Sequence, residues 1–364
     1  MKLVKTSYDS KDVTFLLKDI TGLVKPLPTE EREKLNQSGV HYSEMLPLEY
    51  EPTPKYMEIY QEALETLSYK TANATAILSD LLYEKYGKKL VLVSLARAGT
   101  PIGILIKRFI KYKYNVEIPH YSISIIRGKG IDKNAIKYIV KKHGAYGIQF
   151  IDGWIGKGAI NKVLKEACDE LKVDEEYSQL DDSLAVLSDP AFVTEYCGTH
   201  EDFLIPSACL NSTVSGLVSR TFHREDIIKE NDFHGAVYYG EMKKKDKSIE
   251  FIEKVESYFD QIDENYFEKI DISQFGGRHG IDEVHQIAKD FGIKDINKIK
   301  PGVGETTRVL LRRVPYKVLI RSFSDLDKFP HIKRLCEEKN VEILEYPMKM
   351  YEVCGIIKDL ASDL

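Results

Sequence analysis

The chain has 364 residues, 43% of them hydrophobic, and a formal net charge of −5. That length and apolar content fit two or three domains with sizeable cores and exclude a disordered chain, while the mild acidity excludes a nucleic-acid signal from bulk charge, so any such signal must be local. Five cysteines without a CxxC pair point to a reducing compartment rather than a disulfide framework, and neither an apolar signal segment nor a run near the ~20 residues of a membrane helix is present, so the expectation is a cytoplasmic protein with no membrane partner.

Residues 1 to about 55 read as an arm packed over a core, broken by Lys25-Pro-Leu-Pro and Glu51-Pro-Thr-Pro. Lys55 to Tyr86 is helical by the recurrence of Tyr60, Ala63, Leu64 and Leu67, then Ala74, Leu78, Leu81 and Leu82. Lys89 to Ser94 is a buried strand, Leu95 to Gly103 a strand-to-helix turn, and Ile102 to Ile110 a helix that Pro101 suits in its first turn. Ile118 to Ile126 is a strand, Arg127-Gly-Lys-Gly130 a basic loop, and Lys133 to Lys142 a helix. An apolar run from Tyr146 to Ile151 ends at Asp152, and a helix starts at Ala159. This alternation implies a parallel sheet covered by helices.

The turn between Asp152 and Ala159 carries Gly153, Gly156, Lys157 and Gly158. A glycine-rich turn that opens a helix presents unpaired N–H groups and a positive dipole end to an anion. An ATP P-loop fails on spacing, because position 151 is Ile and no Ser or Thr follows Lys157. A ribose-phosphate loop and a turn with no ligand both remain open on this segment.

Three segments together carry a family resemblance. Arg97-Ala98-Gly99 looks like the pyrophosphate loop of type I phosphoribosyltransferases, Arg127 to Lys129 sits where their flexible catalytic loop belongs, and Asp152 to Ile160 resembles their phosphoribosyl pyrophosphate (PRPP) motif. The resemblance covers roughly residues 75 to 235. It implies PRPP binding by Arg97, Ala98, Gly99, Asp152, Gly153, Gly156, Lys157 and Gly158, with Asp152, Arg127 and Lys129 in catalytic roles and Mg²⁺ held by the substrate's oxygens and water. In this chain Gly153 stands for the usual second acid, and Gly156, Lys157, Ala159 and Ile160 for the usual hydroxyl residues. The implied chemistry is displacement of pyrophosphate toward a nucleobase-like or RNA-linked acceptor. More specifically, the chain resembles a bacterial two-domain family: a phosphoribosyltransferase-like domain fused to a Pelota-like RNA-binding domain, associated with tellurite-resistance and stress operons. The same amino-terminal domain is also labelled a cysteine protease of StiP type.

Beyond the turn, Ala159 to Leu171 is a helix and Leu184 to Ser188 a strand. From Asn211 a helix is expected, with Leu210, Val214, Leu217 and Val218 on one face. Ser212, Ser215 and Ser219 form a polar stripe on another face, read either as an acceptor pocket or as close helix packing. A cysteine protease needs a thiolate and a base; Cys197 with His200, or Cys209 with His223, would supply them. Cys197, His200 and Cys209 are also a possible zinc set without regular ligand spacing.

Glu241 to Lys269 reads as a charged helical connector, and Gln274 to Gly280 as a boundary. Beyond it, helices are expected over Glu283–Phe291, Gly304–Arg313, His331–Lys339 and from Tyr351 onward, with strands at Tyr316–Ile320 and Val341–Tyr346. Lys294 to Lys317 holds seven basic residues against two acids, Asp295 and Glu305, a local phosphate-backbone signal or a solvated helix face. Gly302 to Arg313, Val318-Leu-Ile, Tyr346 and Val353-Cys-Gly355 look like the kink-turn-binding fold shared with Pelota. That resemblance implies RNA contacts by Gly304, Glu305, Thr306, Arg308 and Arg312, with Gly304 in place of the family's Asn.

The expected fold is α/β: a type I phosphoribosyltransferase-like parallel sheet plus a small C-terminal α/β sandwich. The expected divisions are 1–74 as arm and helices, 75–240 as the transferase-like domain, 241–274 as connector and 275–364 as the Pelota-like domain. The expected function is Mg²⁺-assisted PRPP transfer with PRPP and RNA as partners, a homo-oligomer being left open. The alternatives are an RNA-binding, nucleotide-sensing stress protein and a cysteine protease.

Overall fold

A computed structural model describes residues 1–262 and 280–358. In chain order the first unit holds β1 (Thr14–Phe15), β2 (Lys18–Asp19), α1 (Thr29–Gln37), α2 (Pro54–Tyr86), β3 (Val91–Leu95), α3 (Gly99–Tyr114), β4 (His120–Ile123), β5 (Ile125–Ile126), β6 (Gly130–Ile131), α4 (Lys133–His143), β7 (Ile148–Trp154), α5 (Ala159–Leu171), β8 (Leu184–Ser188), β9 (Cys197–Thr199), β10 (Gly235–Ala236) and α6 (Ser248–Glu256). Its main sheet runs β1-β4-β3-β7-β8-β9, and every pairing in it is parallel. The strands read as continuous apolar runs because both faces are covered. Leu92, Ile151, Ala185 and Leu187 pack under α2 and α3, while Val93, Phe150, Leu184 and Val186 pack under α4 and α5.

Helix α2 spans 33 residues, with Thr53 capping its first turn and Pro54 at its first position. The division drawn at residue 74 falls inside it. Its buried hydroxyls, Ser68, Thr71, Thr75 and Ser79, each bond to a carbonyl one turn back, at 2.5 to 2.8 Å, so these four polar side chains are satisfied within the helix where it lies against the sheet. A Cβ on Gly198 would stand 2.2 Å from the Ala74 carbonyl oxygen. Only glycine lets β9 run this near α2, and that approach fixes the height of Cys197 and Thr199 beside it.

The second unit holds α7 (Gly280–Asp290), β11 (Ile299–Pro301), α8 (Val303–Arg312), β12 (Pro315–Ile320), α9 (Pro330–Lys339), β13 (Glu342–Glu345) and β14 (Val353–Ile357). Its sheet runs β11-β14-β12-β13, with only β12 and β13 parallel. Alternation along β12 and β14 sends Val318, Ile320 and Val353 toward α8 and α9, and Leu319, Cys354 and Ile356 toward α7. The molecule is thus a mixed α/β protein with a parallel sheet and a small C-terminal sheet unit. Among the described residues no helix is long and apolar enough to cross a membrane.

Three expected elements differ. The helix expected from Tyr351 is strand β14, where Val353, Ile356 and Ile357 are β-branched and Gly355 lies against the Thr306 backbone. The helix expected after Asn211 is one 3₁₀ turn over Ser212–Val214, ended by Leu217 at φ 59°; the serine hydroxyls bond nearby groups instead of lining a helix face. Strand β7 does not stop at Asp152 but continues to Trp154, which pairs with Ser188. The charged connector is a 3₁₀ turn over Gly240–Lys245 followed by α6; its remainder and the glycine boundary through residue 279 lie outside the described residues.

Candidate active site

The glycine turn after β7 is occupied by the second unit. Lys157 donates to the carbonyls of Ile296 at 2.6 Å and Ile299 at 3.3 Å, and the Tyr351 hydroxyl donates to the Gly156 carbonyl at 2.6 Å. A Cβ on Gly156 would meet Glu305 at 3.8 Å, and one on Gly304 would meet Ala208 at 3.7 Å and Trp154 at 3.8 Å. Asp152 accepts from the Gly153 N–H at 2.8 Å. Burial pushes its carboxyl up to about 7 against the pull of that bond and of Arg308. Burial, with Lys300 and Arg127 nearby, pushes Lys157 down to about 8.

The other residues expected around PRPP are likewise bonded to protein. Arg97 reaches the Val218 carbonyl at 3.1 Å and the Glu49 carboxylate at 3.5 Å. Burial opposes ionisation of Glu49, but Arg97 and two bonds from Ser212 outweigh it and hold the carboxyl below its usual range. Gly99 is glycine because a Cβ there would lie 2.3 Å from the Ile151 carbonyl oxygen. Lys129 lies in the β5–β6 turn and donates to Glu44 at 2.7 Å and to the His223 carbonyl at 3.2 Å, while Arg127 lies over the Tyr42 ring. The hydroxyls of Ser215 and Ser219 donate to the Asn211 and Arg220 carbonyls. What remains at the carboxyl ends of β3 and β7 is a cavity of about 50 Å³, lined by Arg97, Ala98, Trp154, Asn211, Ser215 and Arg308, room for roughly four waters.

Of the residues expected to read RNA, Arg308 lines this cavity and Gly304 and Glu305 lie against Trp154 and the glycine turn. Arg308 pairs with Glu305 at 3.3 Å and lies over Trp154, Thr306 is buried, and Arg312 donates to the Asn211 side chain at 2.6 Å and the Cys209 carbonyl at 2.8 Å. Sequence reasoning placed two separate anion sites in the chain; the structure packs them against each other.

Reactive groups converge one strand further on. The β8–β9 ladder pairs Val186 with Cys197 and Ser188 with Thr199, and the Asp189 N–H bonds the Thr199 carbonyl at 2.9 Å. His200 therefore emerges beside Asp189. Its Nδ1 lies 2.6 Å from the Asp189 carbonyl oxygen and its Nε2 3.4 Å from Cys197 Sγ. A carbonyl only accepts, so Nδ1 carries a proton, and Nε2 is the nitrogen that faces the thiol. The ring stacks on Phe192 with centroids 4.1 Å apart. Asp189 Oδ2 accepts from the Val193 and Thr194 N–H groups at 2.6 and 2.8 Å, and Oδ1 is buried without a hydrogen-bond partner among the described residues. Burial and the Asp189 charge push the Cys197 thiol well above its ordinary range, while the Thr199 N–H favours the thiolate. With Cys197 only 7% exposed, this is a closed thiol–imidazole pair.

The other expected pairing does not form. Cys209 is wholly buried against α2 and α8, whereas the His223 ring packs on His234 with centroids 4.7 Å apart. Nor does a zinc set: among the described residues no three His, Cys, Asp or Glu side chains cluster to hold a metal. Asp189 was missed as a site residue. It follows the carboxyl end of a buried strand just as Asp152 nearly does, and that position was the available signal.

Residues 6–256 match the family described as tellurite-like stress resistance cysteine protease StiP. The chain belongs to the StiP family. Residues 278–359 match the PELOTA RNA-binding domain. A curated relative, the cysteine protease StiP of Acinetobacter baylyi, is 37% identical over 332 residues, covering 88% of this chain and 85% of its own length. These findings overturn PRPP-dependent transfer, and with it the transferase assignment: the family and the relative are described as cysteine proteases, not phosphoribosyltransferases. The physical ground agrees: Lys157 and the Gly156 carbonyl are bonded to the second unit, and Arg97 and Lys129 to other parts of the first.

Proposed function

We propose that the chain is a cysteine protease of a tellurite-type stress response, with Cys197 as nucleophile and His200 as general base, joined to an RNA-binding unit. One observation carries the reading: His200 Nε2 lies 3.4 Å from Cys197 Sγ while Nδ1 is anchored on the Asp189 carbonyl. In the first step the thiol proton passes to Nε2, the sulfur attacks a peptide carbonyl, and His200 then returns the proton to the leaving amine. The Asp189 carbonyl accepts from the imidazolium; burial raises the Asp189 carboxyl, while the Thr194 and Val193 N–H groups and a charged His200 favour its ionised form. Burial disfavours the thiolate in this closed form. Such pairs commonly tighten only with substrate bound.

The scaffold supports a related reading: a phosphoribosyltransferase-like parallel sheet turned to thiol chemistry. RNA binding falls to 278–359. The test of the protease reading is cleavage of dye-quenched unfolded casein by the full chain. Cys197→Ala is expected to abolish it, a loss on the order of 10⁶-fold in kcat where a nucleophile of such a unit is removed. Retained cleavage in that variant contradicts the assignment.

A further inference from the structure

We propose that the seam between the two units is a binding site for an RNA phosphate backbone, formed by Arg127 and Lys157 of the first unit with Lys300 and Arg313 of the second. The proposal rests on the RNA-binding reading of 278–359 and extends its footprint onto the StiP unit. The usual reading turn, Gly304 to Arg308, is closed off by Trp154 and Gly156 while the units are docked. An RNA that meets the docked protein must therefore find other donors at the rim.

The rim supplies them. Lys157 bonds the carbonyl of Ile299, the residue before Lys300, which ties the two lysines together. Lys300 is partly buried; its carbonyl accepts from the Thr306 hydroxyl at 3.3 Å, and its ammonium has no hydrogen-bond or ion-pair partner among the described residues. Arg127, Arg313 and Arg308 are all near enough to repel its charge. Glu305, and Asp295 beside Lys157, are the compensating acids, and Arg308 already engages Glu305 at 3.3 Å. Both lysines are held below their usual range, first by burial and then by neighbouring cations. Like charges gathered in a partly desolvated seam destabilise the docked state until an anion enters.

The arrangement favours a nucleic acid. Arg127 and Arg313 are exposed, one on each unit, so the positive stripe crosses the seam rather than ending in a pocket. Beyond Arg313, Tyr316 is 49% exposed with the Lys317 ammonium over its ring. An exposed ring beside a cationic track is a platform for an unpaired base. An acidic protein would share the charge but would have no use for that ring.

The test is fluorescence anisotropy of a fluorescein-labelled RNA hairpin with an unpaired bulge, titrated with the full chain across a salt series. The wild type is expected to bind with a steep salt dependence. Arg127→Ala, Lys300→Ala and Arg313→Ala should each weaken binding several-fold and lower the slope of log K against log salt by about 1. Lys111→Ala, at the far end of α3 and paired with Glu117, should change neither. If Lys300→Ala and Arg313→Ala weaken binding but Arg127→Ala does not, the composite site is overturned and the RNA-binding reading stands. If the wild type binds no RNA, both fall. If polyglutamate competes as well as RNA at equal charge, the site belongs to an acidic protein.

Discussion

Two loops leave the same edge of the central sheet, one after β7 and one after β9, and they differ in what they gather. The first, Asp152 to Gly158, is rich in glycine and carries a lysine, yet its lysine and a carbonyl are spent on the second unit. The second, Thr199 to Asp202, has no compositional signature, yet it brings an imidazole to a thiol and anchors it on the neighbouring strand's end. Glycine density reports that something approaches the backbone closely. It does not say whether that neighbour is a ligand or another part of the chain. Reactive chemistry is reported by sparse groups that only the fold brings together.

The second loop also couples the units. Two residues after His200, Asp202 accepts from the N–H groups of Val303 at 2.7 Å and Glu352 at 3.0 Å. It thereby caps α8 from outside. Burial pushes its carboxyl up to about 6 despite those bonds. On the other side of the dyad, the Gly280 N–H bonds the Ala191 carbonyl at 2.9 Å, next to the Phe192 that stacks on His200. The second unit thus holds both flanks of the thiol–imidazole pair.

The comparison breaks most visibly in turnover. His200→Ala is expected to lower kcat on the order of 10²- to 10⁴-fold, whereas Asp152→Asn is expected to leave it unchanged in the same casein assay. The opposite pattern would return the chemistry to the glycine turn. Next in size is Gly198→Ala, whose Cβ would meet the Ala74 carbonyl oxygen at 2.2 Å; a urea melt should show a loss of about 3 kcal/mol, the upper range for overpacking. Asp202→Ala leaves two N–H groups of the second unit uncapped and should cost about 2 kcal/mol by the same measurement. A stability unchanged by that substitution would mean the two units are not held together through this loop.

The smallest effect is a pH dependence. Asp152 titrates near 7 when folded and near 3.8 when unfolded, so the folded chain binds the extra proton between those values. Its contribution is present at low pH and is lost as pH rises through about 7. Asparagine keeps the acceptor for the Gly153 N–H and removes the charge. Asp152→Asn should therefore melt increasingly above the wild type as pH rises from about 4 to about 7, and by a constant margin beyond that. A difference that does not grow with pH would mean the carboxylate is stabilised by something other than its burial.

How far the sequence foretold this differs by element. Ala159–Leu171 and Leu184–Ser188 were legible to the residue, because a long amphipathic period opens at a glycine turn in the first, and in the second an apolar run too short for a helix is set off by the acidic turn before it. Strand β14 was not, since Val353 to Ile357 is short and apolar and only its place between β11 and β12 makes it a strand. The serine segment after Asn211 has helical spacing, but its hydroxyls compete for backbone groups and Leu217 turns left-handed. At the site, Cys197 and His200 were visible as a candidate pair three residues apart. What no spacing supplies is Asp189, which reaches His200 only because β8 and β9 lie side by side.

The most direct measurement of the central claim is the rate at which iodoacetamide alkylates each of the five cysteines in the native full chain, read by peptide mass spectrometry at neutral pH, for the wild type and His200→Ala. The account predicts that Cys197 reacts ahead of Cys168, Cys209, Cys336 and Cys354, and that it loses this lead when His200 is removed. Labelling of all five only after denaturation, or a Cys197 rate indifferent to His200, would contradict it.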